Sequence, residues 1–219
     1  CAFIYNLTSQ GDCSNVFLAH GILPLLFRTW ERAKLSHDTT RLVVMSAVNL
    51  ACGKVNTARL ADDGAVKLIA HVVTCRKLEG KMGKFYLEDE DLYAWSSAMR
   101  NLANVIANHE ILAKEDCIHC LVTVAQECYA ALHPEGLGDG PPPAVRDVMN
   151  GIIRNCTAAL RSMTYHSGMQ EKLSSTGAID IIINASKKDL DEQNLEIGSN
   201  LLHEIESESW KNGTRGIIK

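Results

Sequence analysis

The chain has 219 residues and a formal net charge of −4. With no overall excess of Lys and Arg it lacks the counterion-releasing surface that a phosphate backbone requires, so nucleic acid is not the expected partner. Hydrophobic residues at 46% and charged residues at 22% describe an ordinary globular chain, large enough to bury a core without staples, and no apolar run approaches the roughly 18 to 20 residues of a membrane span.

In chain order, a first helical run ends at Asn6-Leu7, and Gly21-Ile22 follows at a separation of 15 residues, opening the apolar stretch Ile22-Leu23-Pro24-Leu25-Leu26. Asp38, an expected N-cap, precedes a run from Arg41 to Leu50 that is apolar on nearly all sides, as in a helix sandwiched between neighbours. That run carries Asn49-Leu50, and Gly64-Ala65 again lies 15 residues on. The acidic opening Glu88-Asp89-Glu90-Asp91 complements the positive end of a helix dipole. Its helix carries Asn101-Leu102, with Asp116-Cys117 at the same separation. Pro143 or Ala144 starts the next long helix, which carries Ser162-Met163 and is followed at 15 by Gly177-Ala178. Asp189 before Leu190 marks a last helix start, and Asn200-Leu201 leads to Gly216-Ile217 at a separation of 16.

The spacing between successive Asn positions varies while the internal 15 does not. The surplus falls in two loops, near 78–88 and over 133–143. This periodicity predicts an all-α chain built from a reused three-helix unit: a short helix, a turn at φ > 0 that glycine permits, a second helix, and a longer third helix carrying the Asn-Leu pair.

The pattern resembles the armadillo repeat. The likeness is carried best by Ala47-Val48-Asn49-Leu50-Ala51 with Asp63-Gly64-Ala65-Val66, by Ala98-Met99-Arg100-Asn101-Leu102-Ala103, and by Thr176-Gly177-Ala178-Ile179. The resemblance implies a right-handed α-α superhelix of about four to five repeats, one domain over residues 1–219. Beginning at Cys1 rather than Met, the chain reads as a piece of a longer one. HEAT-type solenoids, which are helix pairs without the third short helix, are the alternative. Departures from the pattern are Asp116 in place of the turn glycine and Ser162 in place of the Asn.

In armadillo proteins the third helices line a concave groove. The resemblance implies that Asn6, Asn49, Asn101 and Asn200, with Ser162 in the fourth copy, face that groove and hydrogen-bond the backbone of a bound peptide or helix. The same amides are equally suited to capping or bridging neighbouring helices. Nuclear-import members of the superfamily carry a Trp one turn before this Asn. Here those positions hold Ala2, Met45, Ser97, Ala158 and Glu196, so basic import signals are not the expected cargo, while Met45 and Ser97 remain as groove candidates. The expected function is a noncatalytic scaffold or adaptor that binds a protein. A structural subunit of a fixed assembly is the second reading and a zinc protein the third.

No catalytic residue, cofactor or metal site is expected. Cys117-x-x-Cys120 with His119, Cys128 and His133 has zinc-like residue types, but the cysteines fall in one apolar helical run, where they behave as small hydrophobes. Gly136-Leu137-Gly138-Asp139-Gly140 precedes three prolines and follows no strand, so it lacks the setting of a phosphate loop. Neither Gly-x-Ser-x-Gly nor His-Glu-x-x-His occurs. Three sequons, at Asn6, Asn155 and Asn212, would suit secretion, but such triplets arise by chance and Asn6 and Asn155 fall within helical patterns. The eight cysteines lie mostly in apolar helical segments, so the cytoplasm is the expected compartment, with the nucleus as the alternative.

Overall fold

A computed structural model describes residues 2–9, 14–32, 37–52, 60, 64–70, 89–134, 140–164, 169–187 and 192–211. Among these residues every regular element is helical. The elements are α1 (Ala2–Thr8), α2 (Ser14–Ala19), α3 (Ile22–Arg32) and α4 (His37–Cys52), a helical stretch over 65–70, then α5 (Asp89–Ala103) and a 3₁₀ turn (Ile106–Asn108). There follow α6 (His109–Lys114), α7 (Cys117–Leu132), α8 (Pro143–Thr164), α9 (Met169–Ser175), α10 (Ala178–Ala185) and α11 (Glu192–Lys211).

The positive-φ residues among those described are Gly21 at 72°, Gly64 at 91°, Asp116 at 58° and Gly177 at 79°. These are the four turn positions that the 15-residue spacing marks out. Each joins a short helix to a second one: α2 to α3, α6 to α7, and α9 to α10, with Gly64 opening 65–70. Left-handed backbone costs an L-residue contact between Cβ and carbonyl, so glycine serves three turns and Asp, which tolerates this region better than most residues, serves the fourth.

The helices that carry the repeated Asn or Ser positions pack in chain order: α1 on α4, α4 on α5, α5 on α8, and α8 on α11. This explains why α4 is apolar all round. Val43, Val44, Met45, Ala47, Val48, Leu50 and Ala51 are all buried between the flanking α1 and α5. The outer helices also meet, α7 against α10, and Ile118, Leu121, Val122, Val124, Ile181 and Ile182 belong to one continuous core. α3, by contrast, buries one stripe through Leu23 and Leu26 and leaves Leu25 at the surface, as an amphipathic outer helix should.

Polar contacts tie the units together. Trp95, fully buried on α5, donates its indole N–H to the carbonyl of Ile69 at 3.0 Å, satisfying an acceptor at the end of the 65–70 helix. Arg41 on α4 pairs with the buried Asp91 on α5, its Nε 2.6 Å from Oδ2, so one member of the acidic run is turned inward. Asn108 Nδ2 and His109 Nε2 lie 3.0 and 2.7 Å from the carbonyls of Leu102 and Ala103 and close the end of α5. Gly198 allows the closest approach of backbones, since a Cβ there would sit 2.7 Å from the Ser186 nitrogen and 2.8 Å from the Ala185 carbonyl carbon.

Pro143 opens α8 as its fixed φ favours, and Asp89 opens α5. α4 begins at His37, placing Asp38 inside the first turn rather than before it. The helix start expected at Asp189, the loop over 78–88, residues 135–139 of the second loop, and the turn at Gly216 lie outside the described residues.

Candidate protein-binding face

The exposed side of the helices that carry the repeated Asn or Ser positions holds most of the residues expected from the sequence to bind a partner. On α5 this side carries Tyr93, Ser97, Arg100 and Asn101, with Asn104 just past its end, and the equivalent side of α8 carries Arg154, Ala158, Arg161 and Ser162. All are exposed or half-buried, whereas Ala98, Met99, Ala159 and Leu160 between them point into the core. The residues repeat because 3.6 residues per turn returns positions three, four, seven and eight apart to one helix face.

The Asn positions occupy the predicted register but make different contacts. Asn101 is half-buried, and its Nδ2 donates to the carbonyls of Ala51 at 3.2 Å and Cys52 at 2.8 Å. It thus caps the C-terminus of α4 from the neighbouring helix, satisfying two of the acceptors that a helix end leaves open. Ser162 acts in the same direction. Its Oγ lies 2.9 Å from Oδ1 of Asn104, just past the end of α5, and 3.1 Å from the carbonyl of Ala158. Asn49 is half-buried with its Nδ2 enclosed and without a hydrogen-bond partner among the described residues. Asn6 on α1 and Asn200 on α11 are exposed.

Met45 does not line the face. At 2% exposure it belongs to the core between α1 and α5, because α4 is enclosed on that flank and a methionine there fills space. Ser97, at the equivalent position of α5, is half-buried and hydrogen-bonds the Cys52 thiol. Cys52 also donates to the carbonyl of Ala94 at 3.4 Å.

Three features of the face were not anticipated. Tyr93 is 46% exposed, and its ring lies over the α8 backbone at Gly151, where a Cβ would come within 2.6 Å of Cε2. Arg100 reaches across the same seam, with Nη1 3.4 Å from Oδ1 of Asn155. Asn155 in turn donates to Ser96 Oγ at 3.2 Å, so this sequon asparagine is buried in an interhelical network. The signal for the arginines was present in the sequence: Arg100 and Arg161 each stand one residue before the repeated Asn or Ser position.

The cysteines are placed for packing. Cys117, Cys120, Cys128 and Cys156 are buried and outside any disulfide. Burial, reinforced by Cys120, Glu115 and Asp116, holds the Cys117 thiol well above its ordinary range. Burial and the nearby Cys128 do the same for Cys156. Burial also pushes Cys52 up from 9.0 to about 11, against the hydrogen bond with Ser97. Protonated thiols are poor nucleophiles and poor metal ligands. Among the described residues no three His, Cys, Asp or Glu side chains are grouped as a metal ion would need, and no helix is long and apolar enough to cross a membrane.

No family model, curated protein or solved structure matches the chain. The likeness to armadillo repeats therefore rests on the residues themselves.

Proposed function

We propose that the chain is an armadillo-like solenoid segment whose work is to hold another polypeptide on the face formed by its long third helices, without catalysis. What supports this is the recurrence of one turn geometry at Gly21, Gly64, Asp116 and Gly177, together with side-by-side packing of α1, α4, α5, α8 and α11 in chain order. Serial units of this kind bury a continuous core between neighbours and leave one elongated surface per stack. The surface here is polar and carries an exposed aromatic side chain, Tyr93, a residue type that supplies contact area at low entropic cost.

On this reading Asn101 and Ser162 set the pitch of the stack, and the partner meets the residues beside them. The test is peptide selection against the folded chain, followed by blocking substitutions. Segments selected from a random display library should lose binding to Ser97→Trp and Ala158→Trp variants whose circular dichroism is unchanged, and should keep binding to Ile183→Asp on α10. Selected segments indifferent to both Trp substitutions would contradict the proposal.

A second reading, a subunit of a fixed assembly, draws support from the first unit, where Phe3 at 74% and Val16 at 59% exposure present apolar side chains to solvent. Constitutive, stoichiometric subunits recovered with the chain would favour it.

A further inference from the structure

We draw no further inference here: the strongest candidate, the apolar end of the stack at which α1 and α2 leave Phe3 and Val16 exposed, carries none, because nothing in the structure shows what covers it.

Discussion

Replacing the turn glycines one at a time measures whether the four turns are one structure repeated. At Gly21 a Cβ would meet nothing within 4 Å, while at Gly64 and Gly177 the nearest atoms, on Phe27 and Gln126, lie at an ordinary 3.7 Å. Crowding is therefore negligible at all three, and the effect of Gly→Ala reduces to backbone conformation. Holding alanine in the left-handed region costs about 1–2 kcal/mol, and the loss of unfolded-chain freedom returns about 0.4–1 kcal/mol. The net cost is about 1 kcal/mol for each of Gly21→Ala, Gly64→Ala and Gly177→Ala, or roughly 2–4 °C in melting temperature for a chain of this size. Thermal and urea unfolding followed by circular dichroism would read it, with the urea m-value unchanged. Asp116→Asn should be nearly neutral, since Asn tolerates the same region. A neutral Gly21→Ala beside a Gly177→Ala costing several kcal/mol would show that the turns are not equivalent and would refute the repeat.

Four further outcomes follow from named residues. Gly198→Ala should destabilise the chain by about 2 kcal/mol, because its Cβ meets backbone at Ser186 and Ala185 and overpacking against backbone relaxes poorly. Gly151→Ala should cost less, since the Tyr93 ring it meets is half in solvent and free to swing away; equal urea midpoints for the two would contradict this. Asn101→Ala should cost about 1–2 kcal/mol by leaving the carbonyls of Ala51 and Cys52 without their shared donor, and an unchanged midpoint would remove Asn101 from the α4 cap. For pH, Cys52 ionises at 9.0 when unfolded and at about 11 when folded. Its contribution is thus fully present below pH 9 and is lost as pH rises toward 11, by about 2 kcal/mol. Cys52→Ala should flatten the stability profile over that window, and a profile identical to that of the parent chain would sink the assignment.

Much of the architecture was legible because backbone geometry imposes itself on spacing. A turn requiring positive φ must fall at a fixed distance from the helices it joins. The 15-residue interval therefore located Asp116, at 58°, even though glycine is absent there. Side-chain direction was less legible. Spacing places Asn101 at the right station on its helix, but only the position of the neighbouring α4 end decides that its amide caps Ala51 and Cys52. The same limit applies to Met45, whose register suits the face and whose burial by α1 and α5 removes it. Contacts such as Trp95 to Ile69 and Arg41 to Asp91 join residues 26 and 50 apart, and nothing in the local sequence announces such pairs. Tyr93 and Arg100 share the helix face of Ser97 and Asn101, but their reach across to Gly151 and Asn155 depends on where α8 lies, which local spacing does not specify.

The claim that a partner lies along the third helices is tested most directly by photo-crosslinking from α5 and from α10 in cells that express the chain. A p-benzoylphenylalanine placed at Ser97 should yield a discrete protein adduct. The same group at Ile183, exposed on α10, should yield none. An adduct formed from Ile183 and absent from Ser97 would place the partner on α10 and contradict the account.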